Sequence, residues 1–370
     1  MRIGIIVPGG VDRSGRHHVI PVLLAFIERL AAKHEVIVVT LYQEDDPSKY
    51  SLCGAEVINL GLVDGSGARR WGVQLKRLIA ALRQFGRINV LHGLWLHAPG
   101  TLAVAAGHLL GIPVVLSLGG GELVWLPEVP YGNEPSFLRQ AFIGGALQMA
   151  AAVTAGSAYA LKPLAKLRKD ARWLPLGVDS ALMTSGHKRG HGPPWRLLQV
   201  ADLNAVKDQV TLLRAARLLC ESGLPFQLDC LGIDTLSGKL QAMARDLGLE
   251  QTVRFHGRLP LDEVIPFYRD AHLHIQTSRF ESMGAAVLEA AAAGVPLVGT
   301  NVGILAEMAP HAARTVPAGD PTGLANAILE TLRHPAERES RSLAARDFAH
   351  RYNSDWTCME FESIYQRVAA

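Results

Sequence analysis

Short clusters of β-branched and other apolar residues alternate along the whole chain with stretches in which apolar positions recur every three or four residues. The clusters predict strands near 2–7, 35–40, 55–60, 89–94, 113–118, 151–155 and 172–175, and again near 196–201, 226–232, 252–256, 272–276, 295–299 and 313–316. The longer rhythm predicts helices over Val19–Lys33, Trp71–Phe85, Thr101–Leu110 and Ser136–Met149, then over Gln209–Ser222, Ser237–Leu247, Leu261–Asp270, Ala285–Ala293 and Thr322–Arg333. Apolar strands alternating with amphipathic helices imply an α/β fold whose parallel sheets are covered by helices on both faces.

The pattern breaks once. Thr184 to Pro194 is polar, glycine-rich and ends in two prolines, which reads as a linker. The expected organisation is a Rossmann-like doubly wound domain at 1–180, a linker at 181–195, a second Rossmann-like doubly wound domain at 196–340 and a helical segment at 341–370, broken near Tyr352–Asp355 and packing back on the first domain. Two such domains bind ligands in the cleft they form, at the carboxyl ends of the strands.

Composition narrows the function classes. Apolar residues make up 49% of 370 and charged residues 19%, which suits packed cores and excludes a disordered chain. Residues 1–180 hold 18 Lys/Arg against 13 Asp/Glu, and 181–370 hold 19 against 21, far from a nucleic-acid footprint. Cys53, Cys220, Cys230 and Cys358 are scattered, with no disulfide framework or zinc spacing, and point to a reducing, cytoplasmic setting. Val90–Gly121 lacks Asp, Glu, Lys and Arg, but its glycines and Pro113 divide it into buried strand, helix and strand rather than a membrane span. The N-terminal run Met1–Pro8 likewise reads as a strand rather than a leader.

Gly10–His17 has the glycine spacing of a P-loop, but Arg16 and His17 stand where Lys and Ser/Thr are required, and no G-x-G-x-x-G follows the first strand. What remains is a loop containing Gly15 that runs into a helix amino terminus, a place for an anion or an ordinary turn. The segment Ser278–Pro296 is more informative. Gly284 opens a helix that Gly294 closes, and Glu289 lies mid-helix among alanine, valine and leucine, where burying a carboxylate without a partner costs several kcal/mol. Glu289 is therefore solvent-facing, paired with an arginine, or a ligand group. Glu281 precedes it by eight positions, in the loop where a strand ends. Carboxylates accept hydrogen bonds from hydroxyls and helix-start amides accept phosphate oxygens; a sugar nucleotide offers both.

Glu281-x7-Glu289 followed by Ala-Ala-Gly-Val-Pro-Leu-Val-Gly-Thr resembles the signature of family 4 retaining glycosyltransferases of the GT-B fold. His34–Thr40, Pro175–Asp179, Val253–Gly257 and Pro317–Pro321 fit the same family in order, so the resemblance spans essentially the entire chain. It implies that Glu281 holds hydroxyls of a donor sugar, Glu289 holds ribose hydroxyls, the amides of Met283, Gly284 and Ala285 cradle a diphosphate, and Lys207 offsets the charge of that leaving group. The donor would be a nucleoside-diphosphate sugar and the acceptor a sugar, glycolipid or small molecule, with no metal and no further cofactor.

Two positions depart from the family. Asp202 stands where an arginine is usual, with Arg13, Arg16 and Arg258 as substitutes by position, and Gly119 stands where a histidine is common. His92, His97 and Glu122 are the acceptor-side candidates in its place. A sugar-nucleotide epimerase and a binding protein that no longer transfers are the other two readings. Ala68–Arg87 carries six cations, no acid and an apolar stripe of Trp71, Leu75, Leu78, Ile79 and Leu82. This is read first as a crossover helix packed on the sheet and second as a weak contact with the inner face of a membrane.

Overall fold

The computed structural model describes residues 1–132, 136–183, 190 and 192–370. Seven of the fifteen residues of the expected linker, 184–189 and 191, lie outside them. The chain divides into two units, one of residues 1–126, 132–176 and 354–370, the other of 127–131 and 177–353.

The first unit is built on eight strands in the order β10-β9-β6-β5-β1-β2-β4-β3, with β1 Arg2–Val7, β2 Glu35–Thr40, β3 Ser48–Leu52, β4 Ala55–Asn59, β5 Val90–Leu94, β6 Val114–Leu118, β9 Ala152–Ala155 and β10 Arg172–Trp173. The short strands β7 (Trp125–Leu126) and β8 (Tyr131–Gly132) stand outside that sheet. Its helices are α1 Pro21–Ala31, α2 Gly67–Phe85, α3 Thr101–Leu110, α4 Phe137–Met149, α5 Ala158–Ala165 and, from the far end of the chain, α14 Ser354–Ala369. Alternate residues of one strand serve opposite cores. Ile3, Ile5 and Val7 pack with Phe26 of α1 and Phe361 of α14, while Ile6 packs with Leu78 and Leu82 of α2. Both faces of the strand must therefore be apolar.

The sheet is parallel except for β3, which pairs antiparallel with β4 through a tight turn at Cys53 (φ 51) and Gly54 (φ 78). Sequence reading passes over β3 because Ser48-Lys49-Tyr50-Ser51 is a polar edge strand; the signal was the residue-glycine pair that such a two-residue turn needs. The apolar stripe of α2 is spent on the core. Leu78 and Leu82 are buried, and Trp71, Leu75 and Ile79 pack against them, leaving the helix only its cations, with Arg69, Lys76 and Arg83 exposed. Among the described residues no helix is long and apolar enough to cross a membrane.

The helical pattern at the end of the chain breaks between α13 (Pro335–Arg351) and α14. α14 lies against α1 through ion pairs from Arg29 to Asp355 (2.5 Å) and Lys33 to Glu362 (3.1 Å), and through the Phe26 and Phe361 rings 5.1 Å apart.

The second unit is a six-stranded parallel sheet in the order β13-β12-β11-β14-β15-β16, with β11 Trp195–Val200, β12 Phe226–Leu231, β13 Val253–Gly257, β14 Leu273–Gln276, β15 Leu297–Thr300 and β16 Arg314–Val316. Its helices are α6 Ser180–Met183, α7 Gln209–Glu221, α8 Lys239–Asp246, α9 Leu261–Asp270, α10 Ala285–Ala292, α11 Gly303–Met308, α12 Pro321–Arg333 and α13. One core joins Leu212, Leu213, Ala216 and Leu219 of α7 to Leu324 and Ile328 of α12 over Leu197, Leu228 and Ile275 of the strands.

Candidate functional site

β11 and β14 are neighbours at the centre of the second sheet, and the chain leaves them in opposite directions, toward β12 and toward β15. In doubly wound sheets the crevice outside the carboxyl ends of two such strands is where ligands bind. Here the loops that follow them, 201–208 and 277–284, are tied together: Thr277 Oγ1 donates to the Lys207 carbonyl at 2.7 Å, Gln199 Nε2 donates to Thr277 Oγ1 at 2.8 Å, and the Arg279 amide donates to the Val206 carbonyl at 2.8 Å. This brings Lys207 Nζ to 2.5 Å from Glu281 Oε1, which also accepts from Ser278 Oγ at 2.6 Å. The lysine side chain keeps 26% of its exposure and the glutamate 12%, so a ligand reaches the ammonium without unfolding the loop.

Glycine makes the rest of the loop possible. Gly284, at φ 101 and ψ 68, starts α10, whose first amides lack intrahelical acceptors and carry the positive end of the helix. Gly303 (φ 58) lets α11 press on the loop from beneath; a Cβ there lies 2.6 Å from both Glu281 Cβ and the Met283 carbonyl oxygen. Gly303→Ala is expected to lower stability by about 1–3 kcal/mol. Thermal unfolding checks this, and an unchanged melting temperature contradicts the packing.

Glu289 is buried on α10 and accepts from the hydroxyl of Tyr268, on α9, at 2.8 Å. Burial raises its carboxyl above the ordinary glutamate value, and the Tyr268 hydrogen bond opposes the shift. Neither the solvent-facing nor the arginine-paired reading describes it, because its partner is a neutral phenol.

Asp202, in the place of the family's arginine, accepts the Ile233 amide at 2.9 Å and holds the turn after β12. Of the substitutes weighed for that arginine, Arg13 is engaged by both oxygens of Glu44 at 2.8 Å in the first unit, where Arg16 is exposed; Arg258 is exposed after β13, the outermost strand. A cation that sequence reasoning missed, Arg279, pairs with Asp208, the residue after Lys207. Its Nε is 3.0 Å from Asp208 Oδ2, and Asp208 caps α7 by accepting from the Thr211 amide and hydroxyl. Its position two residues before Glu281 was the available signal.

The first unit's candidates separate in kind. Gly15 (φ 64) lies in a loop closed on itself: its amide donates to the Asp12 carbonyl at 2.9 Å, and Gln43 Oε1 accepts from the amides of Gly10 and Val11. Glu122 is buried and accepts from the amides of Leu96 (3.2 Å), Gly119 (3.0 Å) and Gly120 (2.7 Å), so its carboxylate organises two loops. The space over Gly119 is filled by the Trp95 indole, which a Cβ would meet at 2.4 Å. Trp95 itself has φ 69 and turns the chain after β5, leaving His97 exposed at the strand's carboxyl end. His92 is fully buried in β5, where it contacts the Tyr365 hydroxyl through Nδ1 (2.6 Å) and Ser117 Oγ through Nε2 (2.7 Å).

Burial pushes the His92 imidazole down to about 3, and that of His274 in the other unit equally to about 3. Unfolded chains bind these protons below about pH 6.5 while the native state stays neutral, so stability falls as pH drops from about 6.5 toward 3, by up to about 1.4 kcal/mol per pH unit for each histidine. Thermal unfolding at about pH 7 and about pH 4.5 is expected to show a steeper loss in the wild type than in His92→Asn/His274→Asn. Equal losses contradict the assignment.

A family model described as glycosyl transferases group 1 matches residues 187–348, and one described as glycosyl transferase 4-like domain matches 19–177. D-inositol 3-phosphate glycosyltransferase of Acidothermus cellulolyticus is 30% identical over 315 residues, 78% of this chain and 69% of that protein. Glycogen synthase of Mycobacterium tuberculosis is 31% identical over 172 residues, 46% of this chain and 42% of the synthase, so that match spans less than half of the relative. Among solved structures, sucrose-phosphate synthase from Thermosynechococcus elongatus superposes with a TM-score of 0.80 at 18% identity, covering 99% of this chain and 98% of that one. Anabaena HepE in complex with UDP and glucose superposes at 0.76 with 14% identity, covering 99% and 100%. At these identities the structural likeness concerns the fold.

Proposed function

The chain belongs to the group 1 glycosyltransferases and has the GT-B fold, and from that premise we propose that it moves a sugar, with retention of anomeric configuration, from a nucleoside-diphosphate sugar to an acceptor hydroxyl. The observation that supports this most is the Lys207–Glu281 pair beside the open amides of α10, at the carboxyl ends of β11 and β14. A diphosphate arriving there takes over Lys207 from Glu281, and the freed carboxylate accepts hydroxyls of the donor sugar. As the bond from the anomeric carbon to the diphosphate oxygen breaks, charge grows on that oxygen; Lys207 and the amides of Met283, Gly284 and Ala285 offset it. The acceptor oxygen bonds to the same face of the anomeric carbon, and its proton leaves to the departing phosphate. Glu289 holds the ribose hydroxyls. The reaction is proposed to need no metal, so chelation leaves its rate unchanged.

The relatives' names carry unlike acceptors, glycogen and D-inositol 3-phosphate, so the acceptor is kept to a sugar, glycolipid or small molecule with a free hydroxyl. A glycolipid would meet the exposed cations of α2 without an apolar face to insert. Proton NMR of the first-formed product tests the stereochemistry: an α-linked donor sugar is expected to appear as an α-linked product. A β-linked first product overturns retention.

A further inference from the structure

At the end of the second sheet opposite Glu281, where His272 and Pro296 lead into β14 and β15, lies a cavity of about 440 Å³. Three guanidinium groups line it, Arg269 from α9 and Arg338 and Arg346 from α13, against one acid, Glu339. Among the described residues Arg269 and Arg346 make no ion pair or hydrogen bond, and Arg269 Nε is buried without a partner. Arg338 donates to the Leu332 carbonyl at 3.2 Å, lies 5.1 Å from its carbon Cζ to the centroid of the Trp195 ring, and feels the charge of Glu339.

Neighbouring acids are engaged elsewhere: Asp270 pairs with Arg196 at 2.8 Å, and Glu337 pairs with Arg314 and Arg341. In the sequence, the residues between Met183 and Gly190, which both line the cavity, include no Asp or Glu. Three like charges gathered on a concave surface repel one another, and the half-buried Arg269 guanidinium, whose Nε has no acceptor, carries a desolvation penalty that an anion relieves. Burial lowers the pKa of Arg338, and the nearby Glu339 carboxylate opposes the shift.

We propose that this cavity binds a phosphate-bearing small anion, at a site separate from the one at Lys207. Guanidinium forks match the oxygens of phosphate in pairs, and forks arriving from two helices suit a tetrahedral group better than a planar carboxylate. The proposal does not rest on the role given to Lys207.

The test is calorimetric titration of full-length Lys207→Ala, which lacks the Lys207 ammonium of the other anion site, with orthophosphate and with pyrophosphate. Lys207→Ala/Arg346→Ala is titrated alongside. Arg346 is exposed, so the two proteins are expected to melt alike. Saturable binding to the first that weakens about tenfold or more in the second supports the site, and the tighter of the two anions tells a single phosphate from linked phosphates. If the Arg346→Ala protein melts early, Arg346→Gln replaces it. No saturable binding of either anion to the first protein, or equal binding to both, overturns the proposal.

Discussion

Lys207→Ala is expected to lower kcat for donor turnover about a hundredfold or more while changing the donor KM much less, because the ammonium acts chiefly on charge that appears as the diphosphate leaves. The structure adds a complication that the single variant cannot resolve. Lys207 Nζ is 2.5 Å from Glu281 Oε1 in a partly buried pair, so removing the cation leaves Glu281 with Ser278 as its remaining partner and lowers stability as well. Lys207→Met/Glu281→Gln removes both charges together. The double variant is expected to regain the melting temperature lost by the single one and none of the turnover. Recovery of turnover along with stability would make the pair structural rather than chemical.

Glu289→Gln is expected to raise the donor KM about tenfold or more, the scale of one hydrogen bond to a charged acceptor, with the ligand-free protein at least as stable as the wild type. Glutamine keeps the volume and an acceptor for the Tyr268 hydroxyl, and it removes a carboxylate that burial has made costly to ionise. The stability gain should grow as pH rises through the raised carboxyl pKa, since below it both side chains are neutral. Alanine is the wrong probe. Read from the sequence it gains helix propensity, but it leaves the buried Tyr268 hydroxyl with only the Ala286 carbonyl at 3.4 Å. Glu289→Ala should therefore melt below Glu289→Gln; unchanged donor affinity in Glu289→Gln would remove the ribose role.

The parts of the fold legible in the sequence are those where burial dictates residue type. Ile3, Ile5, Ile6 and Val7 announce a strand because one residue set serves each core, and Gly284 and Gly294 bracket α10 because φ 101 and φ 65 favour glycine there. Elements held by polar pairing were not legible, as β3 shows, nor was α11, whose six residues complete too few turns to display a period. At the site, the spacing of Glu281, Gly284 and Glu289 on one continuous stretch made them visible. The Lys207–Glu281 pair was not, because 74 positions separate its members and only the adjacency of β11 and β14 brings them together. The same limit hid Arg279 and made His92 look available: a histidine at a strand's end reads alike whether a helix from 273 positions later covers it or not.

The central claim is that Lys207 and the amino end of α10 receive a departing nucleoside diphosphate. Its most direct test is release of nucleoside diphosphate from a panel of sugar nucleotides by the wild type and by Lys207→Ala, each with EDTA present. The account predicts that at least one sugar nucleotide yields its diphosphate with the wild type, and that Lys207→Ala slows this about a hundredfold or more. Release at equal rates from the two proteins, or no release and no binding across the panel, would contradict it.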